Sequence, residues 1–154
     1  TPTAETPVKK LIGLALLLVG CRRPMTQKQS PAPGEPGAAS PAAAVTAFLA
    51  AVKLEDLQAM SAVWGTPTGS VRNEIPRVEL EEREIYIIRC VRHDRFLIAA
   101  DAPGQDGRRI LSVQISRGPL TRSTNFTVVV GPKSRWYVEK LDLVPVDDIC
   151  RQRP

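Results

Sequence analysis

Between Ser40 and Leu143 the apolar residues change period once, and that change restricts the fold to helices first and an antiparallel sheet afterwards. Val45, Phe48, Leu49 and Val52 recur at helical spacing, which gives one apolar stripe. Ser40 is an N-cap residue type and Pro41 suits the first helical position, so the helix opens there. Lys53-Leu54-Glu55-Asp56 breaks the stripe. Leu57, Met60, Val63 and Trp64 form a second one that Gly65 ends, and Gly65 to Ser70 reads as a loop from its Pro and Gly content. A third helix is predicted from Pro76 to Val91. Glu79, Glu81, Glu82 and Glu84 sit in its early turns and Arg89 and Arg92 near its end, an order the helix dipole favours. The run Ile85 to Val91 is β-branched enough to form a strand, which stands as the alternative.

After Asp94 the pattern alternates. Phe96 to Ala100 is a short apolar run, Pro103 to Gly107 a turn, and Ile110 to Ser116 places Leu111, Val113 and Ile115 on one face. Gly118-Pro119 interrupts, Phe126 to Val130 follows, and Gly131 to Ser134 is the next turn. In Arg135 to Leu143, Trp136 and Val138 share one face while Leu141 and Leu143 share the other, which predicts a bulge or bend between them. Helices followed by a meander give an α+β domain, with N-terminal helices packed on a curved antiparallel sheet.

Residues before Ser40 are of two other kinds. Lys9 and Lys10 precede the apolar run Leu11 to Gly20, the basic and hydrophobic regions of an export signal. As a helix this run reaches only ~15 Å, half of a ~30 Å hydrocarbon core, too short for a mature span. Leu18-Val19-Gly20-Cys21 resembles the lipobox of bacterial lipoproteins. The resemblance implies diacylglyceryl transfer to the Cys21 thiol, cleavage between Gly20 and Cys21, and acylation of the new amino terminus. Several acyl chains at roughly 0.8 kcal/mol per buried methylene make a stable anchor where one would be marginal. Thr1 to Pro7 fit such a signal badly, and Val8 is expected to be a GUG start, with residues 1–7 an artefact of an over-extended reading frame. Residues 1–20 are thus the export signal, residues 21–39 the lipidated Cys and its tether, and residues 40–154 a single domain.

The tether carries Pro24, Pro31, Pro33 and Pro36, with Pro41 just beyond, and almost no large apolar side chain. Such a segment cannot bury enough surface to offset its ordering entropy. Arg22 stands where an Asp would imply retention in the inner membrane, so the resemblance implies the periplasmic face of the outer membrane. Of the 21 basic residues five precede residue 41, as do two of the 16 acidic ones, which leaves 16 against 14 in the domain. A net charge of two, with 5% aromatic residues, offers little to phosphate backbones or bases and argues against a nucleic-acid partner.

The helical opening Pro41 to Val52, the helix ending in Trp64 and the closing Arg135-Trp136-Tyr137-Val138-Glu139-Lys140-Leu141-Asp142-Leu143 together resemble lipid-anchored members of the nuclear-transport-factor-2-like, cystatin-like fold group. The resemblance covers roughly residues 40–150 and rests mostly on packing residues. It is also similar to envelope lipoproteins with an Arg-His-Asp step after the third helix, as Arg92-His93-Asp94 stands here. It implies a curved sheet wrapped by helices around a conical cavity, bounded here by Phe48, Val52, Trp64, Ile88 and the inward faces of the last strands. In different members that cavity is empty, binds a ligand or houses isomerase chemistry, so fold constrains function weakly.

With Cys21 assigned to lipid, Cys90 and Cys150 remain, an even pair in an exported protein. A disulfide is expected, with two buried thiols or a metal pair as the alternatives; one His and two Cys are too few for a structural zinc site. His93, the only histidine, is expected to support a helix terminus or a salt link. Asp94, Asp101 and Asp106 are expected near turns, Arg108 and Arg109 on a hairpin surface, and Trp64 and Trp136 in the core. Trp64, His93 and Asp94 remain as residues for a cavity or site. No Ser-His-Asp set, phosphate loop, paired-carboxylate motif or metal box is present, so no catalytic residue, metal or cofactor is expected. The expected role is a noncatalytic envelope module, its partners the membrane through the N-terminal lipid and a small ligand or envelope protein. The alternatives are an isomerase-like enzyme using the cavity and a purely structural lipoprotein.

Cys21→Ser is expected to abolish palmitate labelling and to leave uncleaved precursor, since no other cysteine follows an export-type apolar run. Labelling that persisted in that variant would reject the lipobox.

Overall fold

The computed structural model describes residues 35–152 together with residue 1. The export signal, Cys21 and most of the tether lie outside the described residues. Helix α1 (Pro41–Leu54) begins where its cap predicts, with Ser40 Oγ accepting from the Ala43 N–H at 3.2 Å. It ends on Glu55 in the left-handed region (φ 54°), whose N–H turns back to the Ala51 and Val52 carbonyls. Helix α2 (Leu57–Val63) is capped by Asp56, whose Oδ1 accepts from Ala59 N–H at 3.0 Å.

The segment read as a loop is a short hairpin, β1 (Gly65–Thr66) and β2 (Gly69–Ser70), folded around Pro67-Thr68. Its tightness depends on Gly65, where a Cβ would lie 2.6 Å from the ring of Tyr137. A 3-10 turn over Val71–Asn73 leads into helix α3 (Arg77–Val91), so the β-branched run is helical and the strand alternative falls. Alternation alone could not decide this, because Leu80, Ile88 and Val91 bury at helical spacing.

The sheet is a four-stranded antiparallel meander of β3 (Arg95–Pro103), β4 (Arg109–Arg117), β5 (Leu120–Val130) and β6 (Trp136–Leu141), in that order. Strands β3 and β5 outrun their apolar stretches because backbone pairing continues where side chains are polar. Asp101, expected at a turn, is therefore in β3, paired with Arg109 at 2.8 Å. The predicted irregularity in β6 is a bulge. Val128 pairs with Val138 and Thr127 with Lys140, so Glu139 is the extra residue. It accepts from Arg108 Nε and Nη2 at 2.6 and 2.7 Å, which makes Arg108 a half-buried partner rather than free hairpin surface.

Helix α1 packs on β4, β5 and β6. Phe48, Leu49 and Val52 from the helix and Leu111, Val113, Ile115, Phe126 and Val128 from the strands form one buried core. Phe48 and Phe126 meet edge to face with ring centroids 6.0 Å apart, a geometry worth ~1 kcal/mol beyond the area it buries. The space in which a cavity was expected beside Phe48 and Val52 is filled by these side chains. Trp64 and Trp136 are half-buried at the margin of the core rather than within it.

Two further segments join the domain. Ala38, inside the compositional tether, is buried and exchanges backbone hydrogen bonds with Trp136 at 2.8 Å, beside Gly37 N–H donating to Ala62 O. After β6 a 3-10 turn (Val144–Val146) and helix α4 (Asp147–Arg151) bury Val146 and Ile149. Alpha-helical periodicity cannot register five residues, so α4 has no sequence signature beyond Cys150. That cysteine is joined to Cys90 of α3, 60 residues away.

Cys150→Ala is expected to lower Tm, the cross-link contributing up to ~4 kcal/mol in the chain-entropy model. Nonreducing peptide mapping should recover one Cys90–Cys150 pair; two alkylatable thiols in folded protein would contradict it.

Candidate functional site

Helix α3 presents three faces to three different surroundings. Ile85, Ile88, Arg89 and Arg92, spaced three and four residues apart, share one face. With Glu55, Leu57, Arg117 and Gln152 they line a cleft of about 660 Å³ between the α1–α2 junction and α4, within the range of small-molecule sites. Leu57, Ile85 and Ile88 supply apolar surface, and three guanidinium groups face one carboxylate. Each arginine is oriented. Arg92 pairs with Glu55, Arg89 Nε donates to the Cys150 carbonyl at 3.0 Å, and Arg117 Nη1 donates to the Ile149 carbonyl at 3.4 Å. Those bonds use a fraction of the five N–H groups each guanidinium carries, so donors remain for an anion.

A second face carries Leu80, Glu84 and Ile88, which are buried. Glu84 is the one charged residue in that row. It is 1% exposed, and its Oε1 has no hydrogen-bond partner among the described residues. Burial, with Glu81 and Asp56 adding to it and Arg72 opposing it, pushes the Glu84 carboxyl up to about 7. It lines a pocket of about 210 Å³ with Gln58, Ser61, Arg72 and Glu81. In the sequence Glu84 counts only among the acidic residues whose order the helix dipole favours; its place four residues after Leu80 and four before Ile88 is the signal of its burial.

The third face, with Glu82, Arg83, Tyr86 and Ile87, meets Trp64 along a shallow groove. His93 and Asp94 take no part in that groove or in the arginine cleft. His93 is buried, its ring edge-on to Phe96, and its Nδ1 lies 2.9 Å from the Val91 carbonyl. Since a carbonyl only accepts, Nδ1 donates, and the ring ties down the end of α3. Burial holds the imidazole below its ordinary pKa. Asp94 accepts from Gly118 N–H at 2.7 Å and its carbonyl accepts from Lys53 Nζ at 2.9 Å, so it fixes the β4–β5 turn to α1. Cys90 and Cys150 do not line the cleft; the Cys150 carbonyl reaches it only as the acceptor of Arg89 Nε. Among the described residues no group of three His, Cys, Asp or Glu side chains could hold a metal ion, and no helix is long and apolar enough to cross a membrane.

Comparisons with protein-family models, curated proteins and solved structures return no match for this chain.

The Glu84 carboxyl binds its proton more tightly folded than unfolded. Its contribution is fully present below about pH 4.5 and is lost as pH rises through about 7. Glu84→Gln keeps the shape and removes the charge. The variant is expected to match the parent in acid and to exceed it above neutrality by on the order of 3 kcal/mol, the size of that shift, read as the difference in urea midpoint between acid and alkaline buffers.

Proposed function

We propose that this chain is a lipid-anchored cell-envelope protein, held at the periplasmic face of the outer membrane through Cys21, whose domain is a noncatalytic binding module. The lipobox, the basic and apolar residues before it and the proline-rich tether support the anchor. The order of two helices, a hairpin, a third helix and a meander supports the nuclear-transport-factor-2-like, cystatin-like reading. In that group the cavity lies between helices and sheet; here Phe48 and Phe126 fill the corresponding space, and binding moves to the outer cleft.

The observation that carries this reading is the composition of that cleft. Arg89, Arg92 and Arg117 stand over Leu57, Ile85 and Ile88, a pairing of planar cationic donors with apolar surface that suits a small anion with an apolar body. Among the described residues its only carboxylate, Glu55, is held by Arg92, so the cleft is equipped to hold a ligand rather than to move a proton.

Dodecanoate is expected to bind the purified protein saturably, with dodecanol and acetate each weaker because each lacks one half of the recognition. Arg92→Gln should weaken dodecanoate by about tenfold, the loss of one charge-assisted contact, in a titration followed by calorimetry. Equal affinity for dodecanol would remove the anion from the proposal.

A further inference from the structure

We propose that the pocket between α2, the Val71–Asn73 turn and α3 is a second binding site, for a small zwitterion whose primary ammonium group seats on Glu84 and whose anionic group faces Arg72. The site shares no residue with the arginine cleft, so it stands or falls separately from the function proposed above.

Four charged side chains line the pocket, Arg72 and Arg77 against Glu81 and Glu84. Two of them satisfy each other, Arg77 Nε donating to Glu81 Oε1 at 2.6 Å. The remaining pair is not joined. Among the described residues Glu84 Oε1 is unpartnered and buried, and Arg72 spends Nη2 on the Gln58 carbonyl at 2.8 Å, keeping its other N–H groups. A buried carboxyl oxygen without a donor carries its full desolvation cost, and the native state recovers that cost when a donor arrives. A bare cation seated on Glu84 would be repelled by Arg72, and a bare anion on Arg72 would be repelled by Glu84. A ligand with both charges meets both groups. Ser61 does not compete for Glu84, because its hydroxyl donates to the Gln58 carbonyl at 3.1 Å.

Size narrows the class further. About 210 Å³ is the room of some seven water molecules at ~30 Å³ each, enough for a ligand of a few non-hydrogen atoms. Free small amino acids and the ethanolamine-phosphate head group of a lipid share this chemistry.

The test is a titration of the purified protein at about pH 8, where the Glu84 carboxyl is ionised, with glycine, O-phosphoethanolamine, methylamine and acetate, followed by backbone amide shifts in α2 and α3. Saturable shifts with glycine or O-phosphoethanolamine, at least about tenfold tighter than with either half-ligand, are expected; the tighter of the two identifies the source. Glu84→Gln, which preserves shape, should weaken that binding by about tenfold or more, with Arg72→Gln as the second arm. A response to neither zwitterion, a response to methylamine equal to that of glycine, or undiminished binding in Glu84→Gln would overturn the proposal. A crystal structure from glycine-containing buffer with only water against Glu84 would do the same.

Discussion

The contact between α1 and the inner face of the sheet carries the remainder of the molecule. Phe48 edge-on to Phe126, with Leu49 and Val52 against Val113, Ile115 and Val128, joins one helical stripe and two strands in a single buried core. Helices α2 and α3 then have a surface to lean on, and the 3-10 turn and α4 close one end with Val146 and Ile149. Because this seam is filled by large side chains, the depressions along α3 lie on the outside of the core. One helix thereby serves as the wall of three separate depressions.

Much of the architecture was legible in the sequence because local chemistry and global packing agree there. Ser40 and Pro41 start a helix in isolation and do so in the fold. The switch of face between Val138 and Leu141 announced a bulge, and Glu139 occupies it. The cysteine count anticipated the Cys90–Cys150 pair. What escaped depends on partners distant along the chain. Arg108 is half-buried because Glu139, 31 residues later, lies opposite it. Ala38 is ordered because Trp136 lends it a backbone partner. Helix α4 is too short to write a period. Glu84 was hidden by its own company, since four glutamates in two turns suggest a solvated face, and only the row Leu80-Glu84-Ile88 shows that one of them points inward.

The C-terminal helix illustrates how side chains substitute for missing helix geometry. Five residues are too few to satisfy their own last carbonyls. Arg89 supplies a donor to the Cys150 carbonyl and Arg117 adds a second to the Ile149 carbonyl, which also accepts the Gln152 N–H, while the disulfide holds α4 against α3. The same two arginines border the cleft, so the helix end and the cation pair are one construction. Most exposed i,i+4 pairs on α3 and α4, such as Arg77–Glu81, are weak contributors by comparison.

The strand-like entry at Ala38 sets a path for mechanical load. Any pull arriving from the residues before Glu35 reaches the domain at Gly37 and Ala38, where Arg135 Nη2 grips the Gly37 carbonyl at 2.6 Å and Ala38 is hydrogen-bonded to Trp136. Beneath that joint the Tyr137 ring is packed so closely that a Cβ at Gly37, Gly65 or Gly131 would come within 2.8 Å of it. Force is therefore delivered to β6, the edge strand of the sheet, which packs against both β5 and α1. A load entering at this joint is shared among several backbone hydrogen bonds, two between Ala38 and Trp136 and one from Gly37 to Ala62.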